Sequence, residues 1–244
     1  FDRWQQDRPP SNAFERWRQD DVEAQAEAVV NLPASTREEP RGTADQSAED
    51  PSHWAGRSIL SKVTTVPWGV LGMQLRSESH AERREAPLPH MHYAIVDPAG
   101  LWYIQIGGPG KASAASEAVY RWLGIKGDGS FHKEVKDHVR REGDAKLHRY
   151  VTGNVIHAVG PDLRKDKWAK LNRNGSGGTK ELIIDELAIV YENIFREFAA
   201  DNRLCRLRIP PVSSGVFSGQ YGPAMPHITM EAIKKGFERL ETGK

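Results

Sequence analysis

Cysteine is almost missing from this chain of 244 residues, its net charge is close to zero, and none of its apolar runs is long. The single cysteine, Cys205, excludes an intrachain disulfide framework and a cysteine-rich zinc site. It sits inside the apolar run 204–209, which predicts a buried core thiol and fits a reducing compartment. Lys plus Arg total 34 against 33 for Asp plus Glu, a formal net charge of +1. Such a balance carries no overall electrostatic signature for nucleic acid or acidic lipid, so contact with either would need a local basic face. No stretch approaches the roughly 20 apolar residues that span a bilayer, so a soluble protein without a membrane partner is expected. The length suits one large domain, or one domain with an extension, and a second complete domain is not expected.

Residues 1–57 differ from the rest. They are rich in Arg, Asp, Glu, Gln, Pro and Ser and poor in branched apolar residues, as in a tail or an arm that depends on a partner. Asn12 with Glu15 three residues later makes a capping box, and Phe14, Trp17, Val22 and Val29 draw a thin apolar stripe along a charged helix. That stripe needs a surface, either the chain's own domain or another macromolecule. Residues 36–52 read as a linker. From 58 to 244 short apolar runs alternate with helical segments, which predicts an α/β domain around a central sheet. Strands are expected at 59–66, 70–75, 93–96, 102–106, 154–159 and 204–209; helices at 113–123, 131–141, 180–200 and 226–240. The third helix is the clearest, with Leu182, Ile183, Leu187, Val190, Tyr191, Ile194 and Phe198 at helical spacing.

The segment 209–219, Ile-Pro-Pro-Val-Ser-Ser-Gly-Val-Phe-Ser-Gly, joins the last strand to the last helix through small, hydroxylated and flexible residues. Glycines at 215 and 219 let main-chain N–H groups come close to an anion, and Ser213 and Ser214 add hydroxyl donors. Taken alone, such a loop is more often a plain polar connection. Ser213 and Ser214 form no nucleophile elbow, since the Gly-x-Ser-x-Gly frame is lacking. His90-Met91-His92, with His80 nearby, lacks carboxylates or cysteines at ligand spacing, so no metal and no cofactor are expected. The basic stretch Lys165, Lys167, Lys170, Arg173 and Lys180 reads as a solvated loop.

Three blocks occur in fixed order: Ala94-Ile95-Val96-Asp97-Pro98-Ala99-Gly100 followed by Gly107-Gly108-Pro109-Gly110; Val155-Ile156-His157-Ala158-Val159-Gly160-Pro161; and Pro211-Val212-Ser213-Ser214-Gly215-Val216-Phe217. Together they resemble the macrodomain family over about residues 60–240. The resemblance implies a three-layer α/β/α fold with a mixed central sheet and a cleft for ADP-ribose or a related nucleotide. The ligand-binding residues it implies are Asp97, Gly107, Gly108, Gly110, Ser213, Ser214, Gly215, Val216 and Phe217, with Phe217 lying against ribose and diphosphate. His157 is expected to pack beside the sheet rather than act as a base.

The chain departs from the family where catalysis would sit. The early Gly-Asp-Ile, whose carboxylate takes the adenine amino group, is replaced by Val66-Pro67-Trp68-Gly69-Val70. The second Asn of the family's strand end, which orients the distal ribose for hydrolysis, aligns with Gly100 and the first with Asp97. Pro109 removes a backbone donor where phosphate would lie. Weak binding without catalysis is therefore expected, with no catalytic residue assigned, and Trp68 and Trp102 are candidates for filling the cleft. The alternative is a degenerate macrodomain that serves as a structural or assembly component of a larger complex, such as an organellar ribosome, and meets a protein or ribonucleoprotein partner through residues 1–57. An intracellular location follows on either reading, in cytoplasm or mitochondrial matrix. The opening residue, Phe1, is expected of a processed product or of a piece of something longer.

Overall fold

A computed structural model describes residues 62–73, 86–168 and 179–242. The arm 1–57, with its expected helix and linker, lies outside the described residues. In chain order the regular elements are β1 (Tyr93–Pro98), α1 (Ala114–Leu123), α2 (Lys133–His138), β2 (Ala145–Arg149), β3 (Asn154–Ala158), α3 (Thr179–Ala199), β4 (Arg206–Arg208) and α4 (Met225–Thr242). The strands form one mixed sheet in the order β2-β3-β1-β4. β1 runs parallel to β3 and to β4, and β2 is antiparallel to β3.

The two central strands are buried on both faces, which is why each reads as a continuous apolar run. Their side chains alternate between two cores. Ala94, Val96, Ile156 and Ala158 pack with Ile183, Leu187, Val190 and Ile194 of α3 and with Ile228, Ala232 and Ile233 of α4. Ile95 and Val155 pack with Val119, Tyr120 and Leu123 of α1 and Val135 of α2. The architecture is mixed α/β, with helices against both sheet faces. No helix among the described residues is long and apolar enough to cross a membrane.

Local chemistry ends the elements where it should. At the end of α1, Gly124 takes the left-handed conformation (φ 77°), and its N–H and that of Ile125 return to the carbonyls of Arg121 and Tyr120. The carbonyls closing α2 are taken by Gln105, whose Nε2 donates to Lys136 O at 2.8 Å and Val139 O at 2.5 Å.

Several expectations are corrected. Residues 102–106, read as a strand, form a π-helical turn, Tyr103–Gly107. Their aromatic and β-branched content favours strand, but only Ile104 reaches the core, while Trp102 and Ile106 are 47% and 74% exposed. The stretch 70–75 holds a turn and an isolated bridge at Met73 as far as it is described, and 62–66 is not strand. The run 204–209 shrinks to three paired residues on an edge strand, so Cys205 is exposed, its thiol 3.5 Å from the carbonyl of His92. Strand β2 went unread because it is the other edge. Its Lys146 and Arg149 are the charged residues that edges carry, and its Leu147 N–H is taken by Glu197 at 2.8 Å.

Helices α3 and α4 approach closely at Gly236. A Cβ placed there would come within 2.7 Å of Ala188 O and 2.9 Å of Glu192 N, both backbone atoms. Alanine would gain about 0.5–1 kcal/mol of helix propensity, whereas forcing the helices apart costs about 1–3 kcal/mol. Gly236→Ala is therefore expected to destabilise the domain in urea titration; a raised midpoint would contradict this packing.

Candidate functional site

Because β1, β3 and β4 are parallel, the segments that follow them emerge at one edge of the sheet. The chain after β1 passes to the face covered by α1 and α2, and the chains after β3 and β4 pass to the face covered by α3 and α4. In α/β proteins, connections that leave for opposite faces open a ligand crevice beyond the carboxyl ends of the strands. The segments placed to line such a crevice here are 99–113, 159–168 and 209–218.

A buried hydrogen-bonded network fixes its floor. Asp97, near the end of β1, and His157, its register partner on β3, are both 0% exposed. Asp97 Oδ1 accepts from Ser116 Oγ at 2.6 Å, and Oδ2 accepts from Tyr120 OH at 2.5 Å and from His157 Nδ1 at 2.8 Å. Tyr150 OH lies 2.8 Å from the other ring nitrogen, His157 Nε2, and extends the network. Burial, then the charge of Asp97, pushes the Tyr120 hydroxyl well above its usual range; burial does the same to Tyr150. Both phenols therefore remain donors. Asp97, one of the residues assigned to the ligand, has its carboxylate directed into this network.

The glycine block rests on protein. The ring of Trp102 occupies the space where a Cβ of Gly107 would stand. Gly108, at φ 70°, faces the backbone of Gly129, and its N–H donates to Tyr103 O at 2.8 Å. Pro109 has no donor, and Gly110 faces the carbonyls of Lys126 and Asp128 at 3.4 and 3.6 Å from its Cβ direction. Trp68 lies away from this packing, its ring 5.0 Å from the Arg208 guanidinium.

The second loop is different. Tyr191, buried on α3, accepts the Val212 N–H at 3.0 Å and fixes the start of the loop; burial raises its hydroxyl to about 12. The next residue, Ser213, is 5% exposed and left-handed (φ 61°). Its hydroxyl, packed against Gly160, has no partner among the described residues. The backbone N–H groups of Ser213, Gly215, Val216 and Phe217 likewise meet no acceptor among the described residues. Successive free N–H groups around a left-handed residue form an anion-binding nest. Ser214 Oγ donates to Pro211 O at 2.8 Å and so tightens the turn. Ala114 at the entry to α1 (φ 52°) and Ser213 are the non-glycine residues with positive φ among the described residues. Each lies in a segment leading away from this sheet edge, and strain of this kind gathers at ligand clamps.

The loop after β3 joins the two sides. Leu163 N–H donates to Phe217 O at 2.8 Å, and Gly219 (φ 53°) packs its Cα against Leu163 and Arg164. Arg164 stacks over Phe217 at 5.0 Å, and its side chain is held by Asp162 through two bonds, Nε to Oδ1 at 2.9 Å and Nη2 to Oδ2 at 2.8 Å. The hydrogen bonds that Arg164 donates to Asp162 raise its pKa. Burial opposes the charge on Asp162, yet the bonds and charge of Arg164 hold its carboxyl below the usual range. Sequence reasoning did not single out Arg164, Tyr150 or Tyr191. Asp162-x-Arg164 directly after Gly160-Pro161 was the available signal for the first.

No group of His, Cys, Asp or Glu among the described residues is placed to hold a metal ion. His90 stacks on Tyr93, and His92 Nδ1 is 3.0 Å from Arg203 O; His80 lies outside the described residues. Of the basic stretch, Lys165 pairs with Glu142 and Lys167 lies over Trp168.

No protein-family model matches the chain, and no curated protein does. A solved structure titled "Alphavirus P23pro-zbd" aligns with 64% of this chain at 18% identity and a TM-score of 0.38. The match spans 21% of that structure's chain. A likeness of this depth carries no argument about fold or function.

Two outcomes are expected from the site's energetics. Asp97→Ala leaves three buried donors without an acceptor and should cost about 3–5 kcal/mol by urea denaturation. The loss in the double variant with His157→Phe should fall short of the sum, because the two residues share one network. Ser213→Gly removes a left-handed strain of about 1–2 kcal/mol and an orphaned hydroxyl, against a glycine entropy cost of about 0.5–1 kcal/mol. A net gain of about 1 kcal/mol is expected, visible as a melting point higher by a few degrees; a lower one would mean that the hydroxyl has a structural partner.

Proposed function

We propose that this chain is a divergent macrodomain-like protein, with the family's α/β/α layering, that holds the diphosphate of ADP-ribose or a related nucleotide in the crevice. The observation that carries this reading is the run of free N–H groups beginning at the strained, buried Ser213, at the sheet edge where α/β proteins bind ligands. The order of the three sequence blocks supports it. The ligand is held from the side of Ser213, Ser214, Gly215, Val216 and Phe217, through main-chain N–H groups rather than the hydroxyls, which are buried at Ser213 and bonded to Pro211 O at Ser214, with Gly107, Gly108 and Gly110 shaping the opposite wall.

Binding without hydrolysis is the activity this arrangement favours. Asp97 is committed to Ser116, Tyr120 and His157, and among the described residues we assign no other base to orient a water toward a distal ribose. Glu117 is held by Arg121, at 2.7 Å, and lies 3.8 Å from Lys126. Trp68, standing where the family keeps an adenine-binding carboxylate, is engaged with Arg208.

One observation favours a second reading, in which the fold is retained as a structural part of a larger assembly: the Trp102 ring lies on Gly107, so one wall of the crevice is already covered by protein. Calorimetry separates the two. On the binding reading, ADP-ribose at millimolar concentration gives measurable heat and a positive thermal shift, and Gly215→Glu, which fills the nest with a carboxylate, abolishes both. No heat and no shift from the unaltered chain would sink the binding claim and leave the structural one.

A further inference from the structure

The binding loops supply backbone donors, but a diphosphate also brings charge, and a formal cation stands where the loops after β3 and β4 meet. Arg164 sits on the loop after β3 and stacks on Phe217 of the loop after β4, 5.0 Å from its ring. Its backbone N–H donates to Asp162 Oδ1 at 3.1 Å. About half of its side chain remains exposed.

The way its donors are used is informative. A guanidinium has five N–H donors arranged in a planar fork. Asp162 takes the edge formed by Nε and Nη2, at 2.9 and 2.8 Å. Among the described residues, Nη1 has no acceptor, so the other edge of the fork, Nη1 with the second N–H of Nη2, is free. A side-on carboxylate together with the Phe217 ring beneath fixes the plane of the group, and a guanidinium held this way loses little further freedom when it meets an anion. A salt bridge that served only stability would gain little at such an exposed position.

Resting on the function proposed above, we propose that Arg164 is a ligand-binding residue: its free edge donates to phosphoryl oxygens of the anion held by the loop at 213–217, while Asp162 and Phe217 act as positioning residues that aim it. The chain thereby recognises phosphorylated ligands by charge as well as by backbone shape. Lysine is no substitute at this position, because a point charge neither stacks on Phe217 nor offers a second planar edge.

The test uses the full chain and three probes, inorganic pyrophosphate, ADP-ribose and adenosine, followed by calorimetry at two salt concentrations. Arg164→Gln is expected to weaken pyrophosphate and ADP-ribose at least tenfold and to flatten the salt dependence, with Arg164→Lys recovering only part of the loss. Asp162→Asn should weaken both several-fold by releasing the fork. Adenosine, having no phosphate, should respond to none of these changes. Melting points within a few degrees of the unaltered chain would show that the losses are not unfolding. If the unaltered chain binds pyrophosphate or ADP-ribose and Arg164→Gln binds within twofold of it, the role of Arg164 is overturned while the proposed function stands. If the unaltered chain binds neither, both are overturned.

Discussion

Everything at the carboxyl edge of this sheet depends on one buried carboxylate. Asp97 stands one residue before the end of β1, and its oxygens are shared among Ser116 and Tyr120 of α1 and His157 of β3, with Tyr150 closing the chain behind His157. An ionised carboxylate out of water is tolerated only when its lone pairs are met by donors of this kind. The arrangement locks the direction in which the chain leaves β1 and the placement of α1 against the sheet. The π-turn that carries Trp102 and the glycine block therefore starts from a fixed point. The same satisfaction removes Asp97 from chemistry in the crevice, because a carboxylate accepting three side-chain donors has little reason to meet a ligand.

The two walls of the crevice are built on opposite principles. On the side of β1, donors are spent: Gly108 bonds back to Tyr103, Pro109 has none, and Trp102 covers Gly107. On the side of β4, donors are withheld from the protein, and the chain accepts a left-handed serine with an unbonded, buried hydroxyl. Folding alone does not favour the second arrangement, since each of those features costs free energy that a relaxed turn would recover. It persists because Tyr191 holds the loop at Val212 and Leu163 holds it at Phe217, so the segment between them is determined from both ends.

Much of this was legible in the sequence, and the failures share a cause. The runs 93–96 and 154–159 could be read as strands because both faces of each are buried, and α3 because its apolar residues repeat at helical spacing. The edges misled. Strand β2 has two apolar residues, Ala145 and Leu147, alternating with basic ones, and at β4 an apolar run proved to be three residues with an exposed cysteine beside them. Segment 102–106 failed for a different reason. Its composition suits a strand, and Gln105 instead caps α2 from more than thirty residues away, a contact invisible to local pattern. The same limit applied within the site. Asp97 and the loop at 213–217 were found by motif, but that Asp97 faces His157 in register is a fact of strand pairing, and that Arg164 lies over Phe217 is a fact of loop packing.

These two long-range contacts also divide the labour between carboxylates and cations at this edge. Asp97 and Asp162 are both held by donors, but one is fully buried and the other holds a half-exposed arginine. A buried carboxylate whose oxygens accept three side-chain donors contributes rigidity and has no exposed oxygen to offer a ligand. An oriented arginine beside free N–H groups contributes a directed positive field, strengthened where the loops exclude water and screened where they do not. On the proposed function, the negative charge lies at the floor and at the back of the guanidinium, and the unpaired donors of two loops remain for the anion. That polarity suits an anion whose charge is spread over several oxygens better than a single compact charge, because donors from two separate loops meet it from two directions.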